Sequence, residues 1–304
     1  MSVRWSRRGF LVAAVCATAT SGCSTPDAPT SPSRASSDPA KRPRLPSVDA
    51  WSPSPGDASP ECKVAAVRAA TSALTGRPDR STLPEPLRDL AGLVPEGAQS
   101  VLDVVYPQYG GLTDRRASVM LVGDLHVLEP DATRVTRRSL TVDIRLSRSV
   151  RDWTVEQVIV PRSRATLTPT DERVAALLRN PRVVLPAESR LDLARGQVDR
   201  RVVALLTRLS SEHTLEVQVF RTGHPRTVFG TDVVSNHTAG RAVDIWSLDD
   251  VPVVERGTSP WRTVMARAAE LGASEIGGPG VPDGPGPYFT NDLHRDHVHL
   301  GYDR

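Results

Sequence analysis

Cysteine is scarce in this 304-residue chain, with only Cys16, Cys23 and Cys62. Two of the three fall within the first 23 residues, leaving Cys62 as the one thiol in the body of the protein. That excludes a disulfide framework and a zinc site built on thiolates, so any metal must sit on histidine and carboxylate. Beyond the N-terminal segment no apolar run is long enough to span the ~30 Å hydrocarbon core of a bilayer. A large excess of one charge is also lacking: 38 basic residues against 35 acidic ones leave +3. Part of that comes from N-terminal arginines, so it gives no argument for a nucleic-acid partner. Internal repeats are absent as well. What is present, 39% hydrophobic and 24% charged residues, suits folded material sufficient for one large domain or two ordinary ones.

The first residues read as an address. Arg4, Arg7 and Arg8 precede a short, mostly apolar stretch from Phe10 to Thr20. Ser6-Arg7-Arg8-Gly9-Phe10-Leu11 resembles a twin-arginine export signal, and Ser21-Gly22-Cys23 resembles the end of a bacterial lipobox. Thr20 stands where a lipobox usually carries leucine. The resemblance implies a lipoprotein export signal over residues 1–23, cleaved so that an acylated Cys23 becomes the mature N-terminus, and a membrane anchor on the outer face of the cytoplasmic membrane. From Ser24 to Pro60, 9 of 37 residues are proline and 9 are serine. Such a segment buries too little apolar surface to offset its ordering entropy, which predicts a disordered tether over 24–60.

Order is expected from Glu61. The pattern predicts a helix over 61–75, a short helix over 86–93, and strands over 119–128, 140–146 and 153–160. The second strand alternates, with Leu140, Val142, Ile144 and Leu146 on one face and Thr141, Asp143 and Arg145 on the other. Helices followed by antiparallel strands predict a small α+β accessory domain over 61–162, somewhat like the cone-shaped fold of many exported proteins. No catalytic constellation occurs in it. A second α+β domain is expected over 168–304. There Val198, Val202, Leu205, Leu206 and Leu209 mark one helix face, and Leu215, Val217 and Val219 a buried strand. Ser259 is placed to cap a helix with Pro260 at its first position, and Gly272 to stop it.

Four of the seven histidines lie in two short segments, Ser235-Asn236-His237-Thr238-Ala239-Gly240-Arg241-Ala242-Val243-Asp244 and His294-Arg295-Asp296-His297-Val298-His299. No helical spacing relates His237 to Asp244, so a turn must bring them together, and Gly240 supplies its backbone freedom. Beyond the turn a strand over 241–246 sets Asp244 among apolar residues, where a carboxylate needs a cation or strong donors. His297 and His299 share one face if their segment is a strand. Two histidines and one carboxylate leave an open position, the arrangement of a catalytic rather than a structural zinc site.

Ser-x-His-x-x-Gly-x-Ala-x-Asp followed by a late His-x-His resembles the zinc D-alanyl-D-alanine carboxypeptidases and related murein endopeptidases, whose metal centre is shared with the hedgehog signalling domain. The resemblance covers about Phe220 to Tyr302. It implies that His237, Asp244 and His299 hold zinc, that His297 stands beside the reacting water, and that Asp296 supports His297. Asp296 occupies the position where many relatives place a glutamate. Arg221, in Phe220-Arg221-Thr222-Gly223-His224, is the nearest match to the substrate-positioning arginine. The activity implied is hydrolysis of peptidoglycan stem or cross-link peptides. The alternative is an inactive, zinc-stabilised binding module for a wall component or envelope protein. A fourth coordination position closed by a side chain, or by the Gly/Pro-rich loop over 277–287, would favour that alternative.

Overall fold

The computed structural model describes residues 43–150, 152–161 and 168–303. Residues Arg42–Arg304 form one compact unit. The expected export signal and lipidation site at Cys23, together with tether residues 24–42, lie outside the described residues. Helices and two separate sheets make the protein α+β, and no described helix is long and apolar enough to cross a membrane.

The first sheet follows one helix and a short helical turn. In α1 (Pro60–Leu74), Cys62, Ala66, Val67, Ala70, Ala73 and Leu74 recur at helical spacing, and this stripe packs into the core against the sheet. A 3₁₀ turn (Glu85–Leu87) runs into the single turn α2 (Arg88–Ala91). Four antiparallel strands then pair in chain order: β1 (Gln99–Leu112), β2 (Arg116–Leu128), β3 (Thr136–Arg148) and β4 (Trp153–Ile159). Three of these match the periodic segments of the sequence; β1 does not. Pro107, Gly110 and Gly111 punctuate it like a turn, but β1 is an edge strand with register shifts at Val104/Tyr106 and Tyr109/Gly111. Edges and bulges tolerate such residues.

The expected tether also differs. Residues 43–59 form neither helix nor strand, yet Trp51 packs against the first core and Asp57 is buried. A buried ion pair with Lys63 of α1 holds Asp57 in place, and one anchored carboxylate overrides a composition that by itself favours disorder.

The second sheet carries the histidines. Three helices, α3 (Glu172–Arg179), α4 (Ala187–Ala194) and α5 (Arg200–Leu209), cluster beside it, with β5 (Val183–Val184) between the first two. Next come β6 (Leu215–Val219), β7 (Ala242–Leu248), β8 (Val251–Pro252), α6 (Trp261–Glu270), β9 (Glu275–Gly277), β10 (Tyr288–Phe289) and β11 (Val298–Gly301). The order is β10-β9-β11-β7-β6-β5, with β8 paired to β7. Val243 and Ile245 of β7 join the core formed by α5 and α6, as the alternation predicts. All seven residues of β7 are buried, because its other face is also covered; Trp246 stacks on Tyr106 of β1 at 4.6 Å. At α6 the cap position is taken by Pro260 rather than Ser259, whose hydroxyl makes no capping bond.

The turn between His237 and β7 depends on one residue. Gly240 has φ +68°, and a Cβ there would lie 1.9 Å from the carbonyl oxygen of Gln197. Gly240→Ala should therefore destabilise the protein by more than the roughly 1–2 kcal/mol of left-handed strain alone. A urea unfolding curve with a midpoint unchanged from the native protein would contradict this.

Candidate metal centre

Register brings the first pair together. His299 of β11 is directly paired with Asp244 of β7, and cross-strand partners project from the same face. The third residue arrives by a 3₁₀ turn over Asn236–Ala239, where the Ser235 hydroxyl accepts from the backbone N–H of His237. Gly240 then turns the chain into β7. Three side-chain atoms converge: His237 Nε2 lies 3.1 Å from Asp244 Oδ1 and 3.1 Å from His299 Nδ1, and His299 Nδ1 lies 3.0 Å from Asp244 Oδ1.

The protonation pattern tests what this triangle can hold. His237 Nδ1 lies 2.6 Å from the carbonyl oxygen of Phe220, which only accepts, so Nδ1 carries a hydrogen, and in the neutral ring Nε2 presents a lone pair. That lone pair faces a carboxylate oxygen in a buried site, an arrangement that requires a positive centre between them. Without a metal, His299 supplies it. Burial disfavours its charged form, but contacts with Asp244 and Glu275 outweigh this and raise its pKa to about 9. Its Nε2 stands 3.4 Å from Glu275 Oε2. Hydrogen bonding to His299 is the main cause lowering the Glu275 pKa to about 2. Burial opposes ionisation of Asp244, yet His237 and His297 hold its pKa well below the ordinary carboxylate range. A divalent ion can replace the proton: tetrahedral bonds of about 2.0–2.1 Å need ligand edges of roughly 3.3 Å, a slight widening of the triangle.

A second grouping overlaps the first. His224, His237 and Asp244 each offer one ligand atom, all within 4.8 Å of one another, so this cluster can also hold a metal ion. His224 stacks on His237 at 3.9 Å, and its Nδ1 lies 2.7 Å from the Pro225 carbonyl oxygen, leaving Nε2 unprotonated. Burial, then the neighbouring His237, holds the pKa of His224 well below its ordinary value. His224 stood within the Phe220–His224 stretch of sequence, but nothing in its spacing marked it.

The other expected residues fall in two classes. His297 and Asp296 are buried beside the triangle, with His297 Nδ1 2.7 Å from Asp296 Oδ1 and His297 Nε2 3.8 Å from Asp244 Oδ2. His297 lies just before β11 rather than within a strand. His294 borders both rings, 4.9 Å from His297 and 5.7 Å from His299, and its Nδ1 is held by Asn291 at 2.7 Å. Arg221 is exposed two residues past β6, with its backbone N–H donating to Asp192 Oδ2.

The half of the chain that showed no constellation contributes polar partners to the site. Gln108 of β1 donates from Nε2 to Asp244 Oδ2 at 2.7 Å, and the backbone N–H of Tyr109 donates to Asp296 Oδ2 at 3.1 Å. Lys63 pairs with the same Asp296 oxygen at 2.7 Å. Burial opposes ionisation of Asp296, but Lys63 and His297 together lower its pKa. No sequence signal connects these residues to a motif more than a hundred positions away.

Two outcomes are expected. Gln108→Leu should weaken metal binding by about 10–100-fold, the usual effect of losing a ligand's outer partner; calorimetric titration with zinc checks it. Metal must also displace the proton of His299. Its raised pKa gives the metal-free protein stability that is complete below pH 6.5, its ordinary value, and lost as pH rises through about 9. Metal affinity should accordingly climb with pH across that window, with about one proton released per ion at neutral pH. Titrations in buffers of different ionisation enthalpy would reveal its absence. No protein-family model, curated protein or solved structure matches the chain.

Proposed function

We propose that this chain is a cell-envelope zinc metallopeptidase that hydrolyses peptide bonds in the stem or cross-link peptides of peptidoglycan. The carrying observation is the triangle of His237, Asp244 and His299, with edges of 3.0–3.1 Å, beside a His297–Asp296 pair that takes no part in it. Zinc fits a donor set of two imidazoles and one carboxylate, a set shared by other divalent first-row ions. The choice of zinc and of peptidoglycan peptides rests on the resemblance of the two histidine segments to the D-alanyl-D-alanine peptidases. The hedgehog-type fold of the second half, the export signal and the lipid anchor at Cys23 belong to the same reading.

When bound, zinc polarises the scissile carbonyl and lowers the pKa of the attacking water. The protein's own groups do the rest. Asp296 accepts from His297 Nδ1–H, which leaves Nε2 to take a proton from that water and return it to the leaving amine. Such proton transfer typically contributes ~10²–10⁴-fold. Arg221, exposed beyond β6, would grip a terminal carboxylate in a bidentate contact.

One observation favours the alternative reading of a zinc-stabilised binding module. His224 lies close enough to join His237 and Asp244 on one ion, and a fourth protein ligand makes a closed, structural site. Burial points the same way: His237 and Asp244 are each 1% exposed and His299 6%.

Purified protein incubated with muropeptides separates the two. The peptidase reading expects turnover that disappears on chelation, returns with zinc, and is lost in His299→Ala. Turnover surviving either treatment would refute it, and a zinc-loaded native protein without turnover would leave the binding module standing.

A further inference from the structure

The chain contains only two lysines, Lys41 and Lys63, among 38 basic residues. Lys63 is wholly buried in the first turn of α1, where lost hydration and the helix dipole both oppose a cation. Its ammonium has three donors and meets three acceptors: Asp57 Oδ1, Asp296 Oδ2 at 2.7 Å and the Tyr106 hydroxyl at 3.4 Å. The rings of Tyr106 and Tyr109 also face the charge, with centroids 4.8 and 4.6 Å away. A locally unfavourable residue satisfied this completely marks a position chosen for something other than helix stability.

Asp296 links that ammonium to the metal centre. Oδ2 receives Lys63 and the Tyr109 N–H, while Oδ1 faces His297 Nδ1 at 2.7 Å. An ionised carboxylate can only accept, so His297 must carry a hydrogen on Nδ1, and in the neutral ring that leaves Nε2 as the unprotonated nitrogen. A neutral Asp296 could instead offer an O–H to Nδ1. The hydrogen of His297 would then move to Nε2, the atom that has to accept a proton.

We propose that Lys63 is a positioning residue for the candidate metal centre: held by Asp57, it fixes Asp296 as an acceptor and so selects the Nδ1–H tautomer of His297. This rests on the reading in which His297 handles the proton. A compact ammonium suits the task, because its donors reach acceptors in three directions whereas a guanidinium fork is planar. The catalytic half of the site would then be incomplete without α1, although all the expected ligands lie in the second half of the chain.

The test uses the full chain loaded with zinc. Lys63→Met removes the ammonium shared by two buried carboxylates, so Lys63→Met/Asp57→Asn, which removes one charge of each sign, is measured beside it. Imidazole nitrogen NMR, with His297 assigned through His297→Gln, should show Nδ1–H in the native protein. In the variants it should show Nε2–H or a mixture, with zinc still bound one to one. On muropeptides, kcat should fall about 10–100-fold while KM stays within about twofold, as expected for an outer partner. An unchanged His297 tautomer in a folded, zinc-loaded variant overturns the proposal, as does unchanged kcat. If the native protein turns over no muropeptide, the peptidase reading fails, and the tautomer alone decides whether Lys63 positions His297.

Discussion

A carboxylate buried on an inner strand of a sheet sets the terms for everything around it. Asp244 has Val219 on one side and His299 on the other in the β7 pairing, and the first sheet covers its outer face. It is only 1% exposed, and burying an ionised carboxylate alone costs several kcal/mol. The surroundings answer that cost from three directions: His237 from the 3₁₀ turn, His299 from the adjacent strand and Gln108 from the other sheet. Of these, only Gln108 is a plain neutral donor. The two imidazoles bring lone pairs as well as hydrogens, and this turns a buried acid into a place for a cation.

The same logic binds the two halves of the chain. Each sheet has its own hydrophobic cluster, joined by Leu293 packing on the first cluster and by the Tyr106–Trp246 stack. Buried polar links run beside those apolar contacts. Gln218 of β6 donates to backbone carbonyls of β1 and β2, Gln108 reaches Asp244, and the Asp57–Lys63–Asp296 chain runs from before α1 to the turn ahead of β11. Buried polar chains of this kind tolerate few alternative arrangements, because each partner left alone is costly. They therefore specify one mutual arrangement of sheets more sharply than leucines and valines do, and they orient Asp296 and His297 as a consequence.

Legibility in the sequence followed the range of the interaction. The periodic strands β2, β3, β4 and β6 and the helices α1, α5 and α6 could be read because each is written in its own alternation or helical spacing. β1 was missed because Pro107 and the Gly110-Gly111 pair look like a turn, while their tolerance depends on an edge position that only pairing creates. The helices α3 and α4 were missed too, being short and flanked by Pro and Asn. Asp57 shows the limit of composition itself, since a Pro/Ser-rich segment predicts disorder whereas a buried ion pair with Lys63, six residues on, anchors it.

At the site itself, the sequence alone determined that thiolates were excluded, that histidines were concentrated in two segments, and that Gly240 had to turn the chain between His237 and Asp244. These are local facts, carried by residue type and spacing. Tertiary structure decided the rest: that His299 sits opposite Asp244, that His224 stacks on His237, and that Lys63, Gln108 and Tyr109 hold the acids from a separate sheet. The physical reason is that burial makes unpaired charge expensive wherever its partner lies along the chain, so the partners are chosen by proximity in space and leave no mark in spacing.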